Sequence, residues 1–424
     1  MSSTGILPSN IITQIIDIVG EEKDINLLKE IALVSHSFLQ DCSKHLFATI
    51  ELRVRDADPM CHVASSKKKF VELLKCRPDV VKYIRKLTYI MGYESPFQSL
   101  RFSSTFPIFA NDDHLLSPIL PNFLRTIPHL NCLTITASRF DWNTMDSSLT
   151  SAFLYLMQLP TINYIHLSYI QNFPLYSLTP SVNLHRLNIF HLSCDDTLRE
   201  DGPPEVGVQS ETMPKIRDFD TFQSSLMTTK FLDGRAFNFV DLRRLSMSLF
   251  HFDDERNFRY LLQNAKLLEE LHLTIGLGPS LLKSLSLCAR TLKILDLSVS
   301  VPLVGVCEGL EEMAGHNMLE ALSIVFHVDG HDTEDLIGST IQKVEGVLVK
   351  PGWSSLSTVT FDVSVAYCLA SSCLASREDM SDELSEALQS LTDKYLIHLS
   401  KLESVAFNYS AYFTVVKCAN DHPH

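Results

Sequence analysis

Glu270, His272 and Asp296 are the residues whose types and placement come nearest to doing chemistry. Two carboxylates around an imidazole are the groups that general acid–base catalysis uses, and the same groups bond to a bound partner. Catalysis needs more than this set. The sequence holds no P-loop, no G-x-S-x-G and no H-E-x-x-H, and nothing reads as a nucleophile with its base. GLGPS at 276–280 offers glycines, but Pro279 and the missing G-x-G-x-x-G continuation make it a loop rather than a phosphate cradle. His327 and His331 have VDG between them and share no helix face, and His422 and His424 lie in a polar tail. The ten cysteines form no C-x-x-C, and the closest pair, Cys368 and Cys373, lacks a histidine at zinc-site spacing. The expectation is a non-catalytic protein without metal or cofactor, its cysteines buried as small apolar residues in cytoplasm or nucleus.

A formal net charge of −14 over 424 residues argues against coating nucleic acid or anionic membrane. No run approaches the 18 apolar residues of a spanning helix, and the N-terminus lacks the basic-then-apolar order of a signal peptide. The length suits two or three domains, or one extended repeat array.

The candidate residues sit in a recurring pattern, apolar-x-x-apolar-x-apolar. It appears as IRKLTY (84–89), LNCLTI (130–135), INYIHL (162–167), LHRLNI (184–189), LRRLSM (242–247) and LEELHL (268–273). Further copies are LKILDL (292–297), LEALSI (319–324), LSTVTF (356–361) and LESVAF (402–407), with a weaker one, IRDFDT, at 216–221. Four consecutive units, beginning at 242, 268, 292 and 319, have helical stretches between them. This spacing and order resemble leucine-rich repeats that lack the usual turn asparagine, so turn geometry is expected to vary between units. The resemblance implies an α/β fold: an irregular solenoid with a parallel concave sheet and outer helices. The apolar triplet points inward. By strand alternation, Arg186, Asn188, Arg244, Ser246, Glu270, His272, Asp296 and Ser298 point outward and are the candidates for holding a target.

Residues 53–86 set ten Lys and Arg against Asp56, Asp58, Glu72 and Asp79, a basic linker in an acidic chain. Its helix runs to about Cys76, stops near Pro78 and is expected to pack Phe70, Leu73 and Leu74 as a cap on the first repeat, with the charges solvated. Residues 194–215 are acidic, poor in large apolar residues, and read as an excursion from the array. Ser381 is expected to cap a closing helix with Leu384, Leu388, Leu391, Tyr395 and Leu399 on one stripe. The organisation expected is a helical module over 1–52, the linker and cap over 53–80, and the repeats over 81–424.

The first module carries surplus apolar surface. As a helix, Ile11, Ile12, Ile15, Ile16, Ile18 and Val19 span about 160°, against the roughly 100° that an ordinary surface helix needs. Gly20 is expected to close that helix, Asp24 or Asn26 to cap a second, and Ser35 a third, before HLFATIELRV turns extended. Three short helices cannot bury so many large side chains among themselves, so an interface is expected.

The order LP-x-x-II-x-x-II, a spacer, LL-x-x-x-x-LVS-x-x-F, then LF-x-x-I-x-L resembles the F-box, over about residues 5–52. The matching positions are Leu7, Pro8, Ile11, Ile12, Ile15, Ile16, Leu27, Leu28, Leu33, Val34, Ser35, Phe38, Leu46, Phe47, Ile50 and Leu52. Asn10 and Phe47 depart from residues common in that family. The resemblance implies a trihelical module that docks on the Skp-type adaptor of a cullin ubiquitin ligase. Its apolar contacts would run through Leu7, Pro8, Ile11, Ile12, Ile15, Ile16, Leu27, Leu28, Leu33, Val34, Phe38, Leu46 and Phe47, while the repeats recruit a protein target. A scaffold bound to the same adaptor without a degradative role is the alternative.

Overall fold

In a computed structural model of the chain, residues 9–54, 66–91, 119–194, 213–234, 236–276, 281–300, 305–329, 334–369, 396–401 and 405–417 are described. The chain divides into two compact units, Met1–Pro214 and Lys215–His424. Every copy of the apolar pattern gives a strand, because its second and third apolar positions are two residues apart and share one strand face.

The first unit opens with three helices, α1 (Ser9–Glu21), α2 (Ile25–Val34) and α3 (His36–Leu46). Strands β1 (Thr49–Val54), β2 (Lys86–Met91), β3 (Cys132–Asp141), β4 (Tyr164–Gln171) and β5 (Arg186–Phe190) follow, each parallel to the next. Helix α4 (Ser66–Cys76) lies between β1 and β2, α5 (Ile119–Leu124) and α6 (Ser147–Met157) flank β3, and a single 3₁₀ turn, Leu175–Leu178, separates β4 from β5. Phe70 and Leu74 of α4 are buried and Leu73 half-buried.

The second unit repeats the scheme. Strands β6 (Asp218–Phe222), β7 (Arg244–Leu249), β8 (Glu270–Ile275), β9 (Ile294–Ser300), β10 (Ala321–Asp329), β11 (Thr358–Leu369) and β12 (Ala406–Lys417) are all parallel to their neighbours. Helices α7 (Ser225–Asp233), α8 (Phe252–Asn264), α9 (Val306–Met313) and α10 (Glu334–Leu348) make the returns, with a 3₁₀ stretch over Leu281–Leu287. The proposed closing helix falls largely on 370–395 and the acidic excursion on 195–212, both outside the described residues; Leu396 and Leu399 are buried.

Both cores are made of the triplets. Leu133, Ile165, Leu187, Leu245, Leu271, Leu295 and Leu322 are buried, and the next inward positions add Ile135, Leu167, Ile189, Met247, Leu273, Leu297 and Ile324. Variation between repeats lies in the returns, as expected, while most strand starts share one hydrogen-bond pattern. Just ahead of nine of the strands, one backbone carbonyl accepts two amides from the next repeat: Arg85 O from Asn131 and Cys132 at 2.8 and 3.0 Å, Glu269 O from Lys293 and Ile294 at 2.8 and 3.0 Å. Ala48, Asn131, Asn163, Arg217, Arg243, Lys293 and Glu320 do the same. A column of main-chain acceptors keeps the stack in register without an asparagine ladder.

Candidate functional site

Two regions answer to the sequence expectations: the helical module and the sheet faces turned away from the returns. In the module, Asp24 caps α2 by accepting the Leu27 amide at 3.0 Å, and Ser35 caps α3 through the Ser37 amide at 3.2 Å. Asn26, the other candidate cap, lies within α2. Gly20 does not end α1. It sits within it, where a Cβ would come within 2.2 Å of the His45 ring, so the missing side chain is what lets α1 approach α3. His45 Nε2 in turn bonds Asp17 Oδ1 at 2.8 Å, and Thr13 Oγ1 donates to Asp41 Oδ2 at 3.0 Å.

Ile16, Val19, Leu28 and Cys42 are buried at the centre of the module, with Ile12, Ile31, Ala32, Phe38 and Leu46 packed around them. This corrects the expected docking set: Ile16 and Leu28, at 0% exposure, are spent inside the module and unavailable to a partner. Ile12, Phe38 and Leu46 are partly spent in the same way, and Phe47 is half-buried. The uncovered side chains are Ile11, Ile15, Ile18, Ile25, Leu27, Leu33 and Val34, of which Leu33 is 88% and Val34 73% exposed. Ile18 and Ile25 were not singled out from the resemblance, and only the packing shows them outside. Leu7 and Pro8 lie outside the described residues.

On the outward face of the second unit, register brings three expected residues together. Ser246, His272 and Asp296 are cross-strand neighbours, as are Arg244 and Glu270. His272 Nδ1 lies 2.6 Å from Asp296 Oδ2, its Nε2 3.9 Å from Glu270 Oε2, and Arg244 Nε 3.7 Å from the same carboxylate oxygen. Ser298 Oγ meets His327 Nε2 at 2.8 Å. The serine and the aspartate therefore belong to different histidines, and the four groups make no single proton relay. Among the described residues no three His, Cys, Asp or Glu converge on a metal position. Beside this row runs a chain of ion pairs that the expectations missed: Arg243 to Glu269 at 3.3 Å and Lys293 to Glu269 at 3.7 Å.

No family model matches the chain, and no curated protein matches it.

The outward face of the first unit is built differently. Lys86, Cys132, Tyr164 and Arg186 form one cross-strand row, with the Arg186 guanidinium 4.8 Å from the centre of the Tyr164 ring. Asn188, expected to be open to a target, is only 8% exposed and donates to the Tyr164 hydroxyl at 3.2 Å. His166 packs beside Phe190 at 5.3 Å between ring centres. Burial pushes the His166 imidazole below its usual range, and the Arg186 charge adds to the effect.

At the far end of the same strands lies a group no pattern pointed to. Residues 137–139 of β3 span the interval that Tyr169 alone spans on β4, a bulge flanked by the pairs Thr136–Ser168 and Phe140–Ile170. Arg139, Tyr169 and His191 all carry left-handed backbone, φ 56°, 57° and 48°. Tyr169 and His191 stack at 4.4 Å. His191 is pushed below the usual imidazole range by burial and then by Arg139.

Cys42, Cys76, Cys132, Cys194, Cys288 and Cys307 are free, and burial drives the Cys288 thiol up to about 12, in keeping with a packing residue. Among the described residues no helix is long and apolar enough to cross a membrane.

Proposed function

We propose that this chain is the substrate-recognition subunit of a Skp/cullin/F-box-type ubiquitin ligase, acting in cytoplasm or nucleus. The N-terminal helices dock on a Skp-type adaptor, and through it on a cullin, while leucine-rich-repeat-like strands hold a protein target. The subunit makes no bond itself. It raises the effective concentration of target lysines near the ubiquitin-loaded enzyme.

One observation carries the reading: the module has its own closed core and still leaves seven large aliphatic side chains uncovered, led by Leu33 and Val34. A face of this kind, with the F-box order of residues along it, suits a second polypeptide. Each side chain buried there contributes about 1.5–3 kcal/mol before the costs of association.

The test is co-purification of the full chain with a Skp-type adaptor. Leu33→Asp with Val34→Asp, both on the uncovered face, should weaken association about 100-fold while leaving the module folded. Undiminished association of that variant would overturn the docking face. If the complex forms but no protein accumulates when the chain is deleted, the scaffold role replaces the degradative one.

A further inference from the structure

The two outward faces differ in how their arginines are partnered. Arg244 faces Glu270, and Arg243 pairs with Glu269. Arg53, Arg77, Arg256 and Arg259 likewise have carboxylate partners, in Glu51, Asp79, Asp233 and Glu255. Arg186 and Arg139, both exposed, have none among the described residues. From β2 to β5 the outward positions carry Lys86, Arg139 and Arg186, with Tyr164, His166, Tyr169, Phe190 and His191 among them, and no carboxylate before Asp141. In a chain of net charge −14 this face is an exception.

The cations are arranged in two stations. Lys86 and Arg186 share the row at the start of the strands, whereas Arg139 sits with Tyr169 and His191 five residues further along β4 and β5. At about 3.3 Å per strand residue, the stations are about 16 Å apart. At the row the Arg186 guanidinium lies 4.8 Å from the Tyr164 ring, and at the rim Tyr169 stacks on His191, the imidazole that feels the Arg139 charge. Cations gathered on one point would suit a dianion. Cations split between two stations suit single negative charges spaced along an extended chain.

We infer that the outward face of β2–β5 binds an extended, carboxylate-bearing peptide segment of a partner protein, with acidic residues about five positions apart and an apolar or aromatic residue between them. Burial first, and then the Arg186 and Arg139 charges, lower the His166 and His191 imidazoles, which places each cation close to its histidine. A nucleic acid is disfavoured, because its evenly spaced phosphates would run past a few cations into an acidic molecule. The inference deepens the receptor reading and rests on it only in making the peptide part of a captured target.

The experiment is fluorescence anisotropy with the full chain and a labelled peptide, Glu-Ser-Leu-Tyr-Thr-Glu. Controls are the same peptide with both Glu changed to Gln, and an oligo(dT) strand. The acidic peptide should bind at least tenfold more tightly than either control. Arg186→Glu and Arg139→Glu should each lose at least tenfold, and Arg244→Glu less than twofold. Arg186→Gln, a milder change, should lose an intermediate amount with an unchanged melting curve, which separates charge from unfolding. Replacing the Glu nearest Arg186 by Lys should restore binding to the Arg186→Glu variant. Equal binding of the Gln peptide, indifference to both arginine reversals, or tighter binding of oligo(dT) would overturn the inference. Retained peptide binding by the Leu33→Asp/Val34→Asp variant, which should fail to hold the adaptor, separates failure of this site from failure of the docking face.

Discussion

Arg186 on β5 and Arg244 on β7 occupy the same place in two copies of one pattern, yet they live in different electrostatic surroundings. Arg244 looks across its strand at Glu270, which also stands 3.9 Å from His272, itself held by Asp296. Arg186 looks at the ring of Tyr164. The inward side chains flanking both are interchangeable, Leu187 and Leu245, each fully buried. A repeat can therefore hold its core constant while the outward position decides what its face attracts. In the second unit that face neutralises itself. In the first it is left cationic and aromatic.

The largest effect tests whether the likeness of the cores is real. Leu187→Ala and Leu271→Ala each remove a fully buried side chain from an equivalent layer, and each should cost about 2–5 kcal/mol in chemical denaturation. A loss confined to one of them would show that the two units are not built on one plan. A smaller effect is expected from the outward pairs. Glu270→Gln breaks contacts that are partly exposed, and should change stability by no more than about 1 kcal/mol. A larger cost would mean that the row is structural rather than a solvated face.

The smallest effect is a pH dependence that belongs to the first unit. His166 and His191 titrate below the usual imidazole range when folded, so the unfolded chain binds more protons as pH falls through that range. Their stabilising share is present above the ordinary imidazole value and is lost on acidification below it. The melting temperature should fall from pH 7 to pH 5.5, and His166→Gln should narrow the difference. An identical fall in that variant would remove His166 from the account.

Much of the framework is legible in the order of residues. All eleven copies of the triplet became strands, because alternation makes a residue's face a matter of counting. Asp24 and Ser35 were legible as caps for a similar reason, since a cap acts on amides two or three residues away. Gly20 reads as a helix end in sequence but lies within α1, because its role is set by His45 on another helix.

The module shows the same limit. Isoleucine spacing marks a greasy helix, but it does not say that Ile16 goes inward and Ile15 stays outside; that depends on where α2 and α3 lie. Asn188 was expected to face a partner and was instead taken up by a tyrosine one strand away. Arg139, Tyr169 and His191 meet only through a bulge and three left-handed residues, which no periodicity announces.

What the chain's order of residues determined alone is therefore local and periodic: which segments are strands, which side of each is apolar, and where two of the helices begin. Cross-strand register, the bulge and the crossing of α1 on α3 were decided only in three dimensions. They depend on contacts between residues 20 or more positions apart, whose energies compete over the whole core rather than within one turn or strand.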